Sequence, residues 1–237
     1  METPFIRTQM LIGEQKLNKL MASHVAVFGV GGVGGFTAEA LVRSGVGSIT
    51  IFDGDVISVS NINRQIIADF STVGKSKVRV IEKRLKSINP DLNFTGNDIF
   101  ITPENLSGFD LTGYDYIVDA IDTVSSKLAL VERAKFLGVP IISCMGTGGK
   151  SDINRLKVAD IKKTSGCPLA RVMRREVKAR GIDSLKVVYS DETANFGSRE
   201  FSEVKTDGKK APPSTIFVPA TAGLMLAGEV VKDLTQD

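Results

Sequence analysis

The stretch from residue 24 to residue 65 restricts the fold more than any other part of the chain. It opens on a short apolar run at 25–28 and passes through a turn containing Gly29, Gly31, Gly32, Gly34 and Gly35. A helical segment continues to Ser44, and a second apolar run at 49–52 ends in Asp53 and Asp55. Both runs are short, β-branched and bounded by glycine, so they read as buried parallel strands. Glycines let the backbone approach a phosphate, and the helix that follows aims its free N–H groups at it. Asp53 lies nineteen residues after Gly34, where an acid accepts hydrogen bonds from a ribose. The glycine turn alone is a weak signal. Strand, turn, helix, strand and acid in series specify a nucleotide site.

The alternation continues. Val78, Ile81, Leu85 and Ile88 recur at helical spacing after Gly74-Lys75-Ser76-Lys77, and Asn89-Pro90 ends that helix. Residues 92–99 read as a strand, 103–106 as a helical turn, and 114–121 as a strand ending in Asp119-Ala120-Ile121-Asp122. Leu128, Val131, Ala134 and Leu137 mark a helix, and 141–145 another buried strand. This order predicts an α/β chain with a doubly wound, Rossmann-like sheet. The second half predicts strands at 155–161 and 185–190, a helix at 169–180, a long flexible loop at 191–214, a short strand at 216–218 and a helix at 220–234. The sheet is therefore expected to be mainly parallel, with antiparallel strands added from the C-terminal half. Ahead of it, 14–22 predicts a covering helix with Leu17, Leu20 and Met21 on one side. Ala220, Ala222, Gly223, Ala227 and Gly228 suit close packing, a subunit interface being one candidate.

Composition narrows the class. Charged residues are 24% and hydrophobic ones 42%, which describes a folded chain rather than a disordered one. The two cysteines, Cys144 and Cys167, form no CxxC pair, so a disulfide framework and a four-cysteine zinc site are excluded. The start carries no signal-peptide apolar region, and no run reaches the ~20 apolar residues that span a bilayer. No membrane role and a cytoplasmic location are the expectation.

In an open α/β sheet, ligands bind beyond the carboxyl ends of the strands. The strand ends here carry glycines, acids and a basic loop, with no nucleophile–base pair. A nicotinamide oxidoreductase needs a proton shuttle, and the one histidine, His24, starts the first strand at the wrong end of the sheet. His24 reads instead as an edge or core residue. Asn61, Arg64 and Lys77 supply donors and two positive charges just past the ribose acid, which suits a triphosphate. Asp122 suits Mg²⁺, which takes few protein carboxylates, and the plainer reading is a helix N-cap before Ser125-Ser126-Lys127, a role that can coexist with the first. Arg7 stands in a segment with little to hold it, and on composition alone reads as a solvated arginine.

GVGGVGG at 29–35, DGDVISVSNINRQ at 53–65, GKSK at 74–77 and DAID at 119–122 together resemble the ubiquitin-activating, E1-like adenylating superfamily that includes ThiF and MoeB. The resemblance covers residues 5–150. It implies ATP and Mg²⁺ as cofactors and adenylation of a carboxylate with release of pyrophosphate. Carried onto matching positions, it implies Gly29, Gly31, Gly32 and Gly34 against the nucleotide, and Asp53 on the ribose beside Asp55. Asn61, Arg64 and Lys77 then serve the phosphates, and Asp122 holds Mg²⁺. It also implies that Arg7 reaches into a neighbouring subunit's site, making the enzyme a homodimer.

The second half is similar to the tRNA threonylcarbamoyladenosine dehydratase branch, through GTGGK at 146–150, VADIKKTSGCPLARVMRREVKARGI at 158–182, KVVYSDE at 186–192 and FVPATAGLMLAGEVVKDL at 217–234. Cys167 stands where that branch leads one to expect an acid. The branch implies one adenylation domain over 1–237, with the ATP-binding part at 1–150 and the tRNA-facing and dimer part at 151–237. Its substrate is tRNA carrying threonylcarbamoyladenosine at position 37 of the anticodon loop, whose free carboxylate is adenylated and then cyclised with loss of water. A sulfur-transfer protein is a further candidate partner.

Charge supports a polyanion: between Lys150 and Arg180 ten cations stand against three acids, a local +7 in a chain of +3. Lys163, Arg171, Arg174, Arg175 and Lys178 are the expected tRNA contacts, against the plainer reading of a solvated helix face. Cys144 reads as core and Cys167 as an exposed thiol in basic surroundings, and the chemistry requires neither as a nucleophile. The competing adenylation reading takes the C-terminus of a small sulfur-carrier protein as substrate. The enzymes of that kind typically carry two CxxC pairs, which this chain lacks.

Overall fold

The computed structural model describes residues 3–195, 205–206, 209–210 and 212–236. Seven strands form one sheet: β1 (His24–Phe28), β2 (Ser48–Phe52), β3 (Asn93–Asn97), β4 (Tyr116–Asp119), β5 (Ile141–Cys144), β6 (Leu156–Asp160) and β7 (Lys186–Ser190). Their order is β3-β2-β1-β4-β5-β7-β6. β1 pairs in parallel with both β2 and β4, Val27 lying opposite Ile51 on one side and Val118 on the other. β7 continues the parallel run beside β5. Of the strands added from the second half, β6 alone is antiparallel to its neighbour, with Val158 opposite Val188. A separate antiparallel pair joins β8 (Lys205–Thr206) to β9 (Lys209–Lys210).

The apolar runs of the sequence become strands because both faces of the sheet are covered. On one face lie α3 (Gly34–Ser44), α4 (Lys77–Ile88) and α7 (Phe217–Thr235), burying Leu41, Ile81, Leu85 and Leu226 against Val25, Val27 and Ile51. On the other lie α5 (Val124–Leu137) and α6 (Pro168–Ala179), burying Leu130, Val131, Met173 and Val177 against Ala26, Phe28 and Ile117. α4 is capped by Ser76, whose hydroxyl accepts from the Arg79 N–H at 3.3 Å.

Arg7 lies on α1 (Ile6–Ile12), whose residues are all at least partly exposed, as a solvated arginine requires. Two expectations change. In α2 (Glu14–Ala22), Leu17 and Leu20 are buried, but Met21 sits at the edge of that stripe and is 51% exposed. The segment 216–218 is not a strand. Phe217 and Val218 open α7, and Pro219 is tolerated there because the first-turn N–H groups have no helical acceptor. The close packing expected of the small residues of α7 is present at Gly223, whose carbonyl accepts from the Thr37 hydroxyl at 3.1 Å and brings α3 and α7 into close contact, while Gly228 is exposed. The loop expected at 191–214 lies partly outside the described residues, at 196–204, 207, 208 and 211.

Candidate active site

The chain crosses from one side of β1 to the other between β3 and β4, so the carboxyl ends of β1 and β4 flank the crevice where such sheets bind ligands. The glycine turn sits in it. Gly29 has a φ of +86°, and a Cβ on it would stand 2.8 Å from the Ala120 carbonyl oxygen. A Cβ on Gly34 would overlap the carbonyl of Gly29. These two glycines close the turn. Gly31 and Gly32 face the 61–66 loop instead: Cβ positions on them would lie 3.7 Å from Gln65 Nε2 and 3.4 Å from Arg64 Cγ.

Asp53 organises the turn. Its Oδ2 accepts from the Val30 N–H and its Oδ1 from the Asp55 N–H, both at 2.8 Å. Burial pushes the Asp53 pKa up, opposed by Lys77 and by these two N–H donors. Lys77 is itself buried. Its Nζ donates to Asp55 Oδ2 at 2.7 Å and lies 3.9 Å from Asp53 Oδ1. The cation is therefore fixed between the two acids that end β2. The α4 N-terminus places it there, since Lys77 is the first residue of that helix.

The loop after β2 is held by its own polar groups. Asn61 is buried and its Oδ1 accepts from the Ser58 N–H at 3.2 Å, half of a capping box on the short 3-10 turn Val59–Asn61. Arg64 donates to the Ser60 carbonyl at 2.7 Å and to Asn63 Oδ1 at 3.0 Å, which lays its stem along Gly32. Asn63 donates to the Ser214 carbonyl at 2.9 Å, and Pro219 also touches the Gly32 position. The second half of the chain thus supports the loop.

At the β4 end the two acids of DAID part company. Asp119 is fully buried and meets Lys127 Nζ at 2.9 Å. Asp122 is exposed, and the α5 N-cap is Thr123 rather than Asp122. Lys127 is the residue that sequence reasoning missed. Besides Asp119, its ammonium donates to the carbonyls of Ile121 at 3.0 Å and Cys144 at 2.9 Å. The available signal was a lysine in the first turn of a helix, where the dipole disfavours a cation.

Arg7 is exposed on α1, two residues from Phe5, whose ring lies 3.8 Å from a Cβ position on Gly45, just ahead of β2. That is the amino end of the sheet, so the chain does not bring its own Arg7 to the strand-end site. Cys167 is buried, 3.9 Å from the Gly146 carbonyl oxygen, correcting the exposed thiol expected from the sequence. It is the N-cap residue of α6. Cys144 is also buried, and desolvation pushes its thiol up to about 12, which disfavours the thiolate at neutral pH.

The basic residues of the second half divide into two groups. Arg155 and Lys157 pair with Asp191, Arg175 and Arg180 with Glu176, and Arg174 donates to the Thr164 carbonyl and hydroxyl at 2.7 Å. Lys163, Arg171 and Lys178 are exposed and form no ion pair among the described residues. A surface groove lined by Glu132, Phe136, Arg180 and Asp183 lies near the C-terminal ends of α5 and α6, away from the strand-end residues.

The ThiF family model matches residues 6–237. The chain is 41% identical over 241 residues to the tRNA threonylcarbamoyladenosine dehydratase of Bacillus subtilis strain 168, covering 98% of this chain and 95% of the relative. It is 40% identical over 172 residues to the Escherichia coli K12 protein of that name, covering 73% of this chain and 64% of the relative. The crystal structure of the E. coli tRNA N6-threonylcarbamoyladenosine dehydratase in complex with ATP superposes with a TM-score of 0.87 at 33% identity, over 98% of this chain and 93% of that one. With the glycine turn, the paired acids and the basic loop in place on a sheet of this order, the chain belongs to the ThiF family.

Proposed function

We propose that this chain is an ATP-dependent tRNA threonylcarbamoyladenosine dehydratase. The observation that carries this reading is similarity along the whole chain, through the basic second half, to an enzyme of that name. The substrate carboxylate attacks the α-phosphorus of ATP and expels pyrophosphate. A nucleophile within the modification then attacks the acyl carbon of the acyl-adenylate and loses its proton. AMP leaves as the ring closes, for a net loss of water.

The chain's own groups divide the work. Asp53 binds the ribose with the lone pairs its two N–H donors leave open. Asn61, Arg64 and Lys77, with the first-turn N–H groups of α3, take the charge that develops on the phosphates. Mg²⁺ suits this site: Asp119 is occupied by Lys127, and Asp122 is left as one exposed carboxylate, the number that ion commonly takes from protein. When bound it neutralises phosphate charge. Lys163, Arg171, Arg174, Arg175 and Lys178 hold the tRNA backbone, with Arg174 and Arg175 first exchanging their present partners for phosphate.

The active form is a homodimer in which Arg7 of one protomer completes its partner's site. The exposure of Met10 and Leu11 on α1, 80% and 85%, supports an arm that is covered in the assembly. Residues 1–237 then act as one adenylation unit, working in the cytoplasm where its tRNA is. Among the described residues, no helix is long and apolar enough to cross a membrane.

The test is pyrophosphate release with threonylcarbamoyl-modified tRNA, unmodified tRNA and a Gly-Gly-ended carrier protein as alternative substrates. Release with modified tRNA alone is expected. Release driven by the carrier protein would replace this reading with the sulfur-carrier one.

A further inference from the structure

Lys127 breaks two ordinary preferences at once. Its side chain is fully buried, and it sits in the first turn of α5, where the helix dipole is unfavourable to a cation. An apolar residue there would continue the stripe that Leu128 and Val131 begin. The lysine is kept company by Asp119 at 2.9 Å and by two carbonyls from adjacent strand ends on the β4 side of the crevice: Ile121, at 3.0 Å, follows β4, and Cys144, at 2.9 Å, ends β5. One ammonium therefore ties β4, β5 and α5 at a single point. Ile121 is the residue before Asp122, and its N–H is also held, donating to Asp119 Oδ1 at 3.1 Å. Both polar backbone atoms of Ile121 thus end on the Asp119–Lys127 pair.

We propose that Lys127 is a positioning residue for adenylation. Its ammonium fixes the Ile121 carbonyl, and so the backbone that presents Asp122 at the mouth of the crevice, while it keeps Asp119 out of the site. The pair leaves the DAID segment with one outward carboxylate in place of two. This rests on the reading of Asp122 as part of the adenylation site.

The experiment uses the full-length chain with the double substitution Asp119→Asn/Lys127→Met, which removes both buried charges and leaves neither unpaired, and Lys127→Met alone as a second variant. Three quantities are read: AMP affinity by calorimetry without added metal, kcat for pyrophosphate release, and hydrogen exchange of the amides of residues 120–123. The double variant is expected to bind AMP within about threefold of the parent, since the ribose and glycine-turn contacts are untouched. Its kcat should fall on the order of 10²-fold, the cost of misplacing a group by about an ångström. Exchange at 120–123 should quicken at least about tenfold.

Two results overturn the proposal: a double variant with kcat within about threefold of the parent, or unchanged exchange at 120–123 in both variants. A parallel loss of AMP affinity and kcat also counts against it, because it describes general collapse of the site. If the parent itself releases no pyrophosphate with modified tRNA, the functional reading fails, and the exchange measurement still decides whether Lys127 holds the loop.

Discussion

The strand-end crevice and the outer face of α6 both carry many charges, and they handle them in opposite ways. In the crevice each buried cation is matched: Lys77 with Asp53 and Asp55, Lys127 with Asp119. Around α6 the matching is uneven. Asp191 and Glu176 absorb four cations, while Lys163, Arg171 and Lys178 point outward unpaired among the described residues. Matched buried charges fix geometry, because removing one partner strands the other in a medium that cannot solvate it. Outward unmatched charges cost the fold little and are available to a polyanion. A formal charge count along the sequence does not separate the two kinds.

The largest effect expected on the crevice side is on rate. Arg64→Ala should lower kcat for pyrophosphate release by roughly 10²–10³-fold with the circular-dichroism spectrum unchanged. Arg7→Ala should cost on the order of 10³-fold. After subunit exchange, mixing the two variants should restore about a quarter of parental activity, because half the molecules are mixed and each of those has one intact site. Absence of recovery despite exchange would remove Arg7 from the partner's site.

Next comes stability. Lys77→Met leaves Asp53 buried without its cation and should cost about 3 kcal/mol in urea denaturation. Its pH dependence has a definite sign. Asp53 binds its proton more tightly folded than unfolded, so its favourable contribution is present below the ordinary value of 3.8 and is lost as pH rises through the higher folded value. Without Lys77 that folded value rises further. The variant's deficit should therefore be larger at about pH 7 than at about pH 4. A deficit independent of pH would show that Lys77 acts through packing alone.

On the α6 side, replacing Lys163, Arg171 and Lys178 together by Ala should weaken tRNA binding by roughly tenfold and lower the slope of log affinity against log salt by about 2, three phosphate contacts' worth. Replacing Arg175 should change the slope less, since Glu176 already holds it. The smallest effect reverses the sign. Asp191 is held well below the usual carboxylate range, at about 2, by hydrogen bonds from Lys157 and Arg155. Asp191→Asn should release both cations and raise tRNA affinity by about twofold at low salt. Should Asp191→Asn weaken binding, the division into matched and available charge is wrong for this face.

The same contrast explains what was readable in the chain. The strands, the glycine turn and Asp53 were legible because periodicity, β-branching and the turn's steric demands are local. Lys77 was legible as a charge, but its place between two acids was not, since Asp55 is far from it in sequence and near only through the β2–α4 connection. Lys127 was hidden because the apolar stripe of α5 begins one residue later, and a lysine beside such a stripe ordinarily faces water. Cys167 and the start of α7 were misread for a related reason. A small residue before proline and a short β-branched run before proline look like exposed loop and strand until the surrounding elements cover them. The flexible character expected for 191–214 depends in part on residues outside those described.

α7 leans on the glycine turn. Pro219 touches the Gly32 position, and Gly223 is pressed so closely on α3 that a single methyl there would overlap the Val33 carbonyl. α7 is thus a strut beneath the glycine turn. For anyone wishing to reuse this nucleotide site, the first 150 residues are not a portable cassette. A graft would have to carry the C-terminal helix with it, and a truncation meant to delete residues 151–237 would blunt nucleotide binding as well.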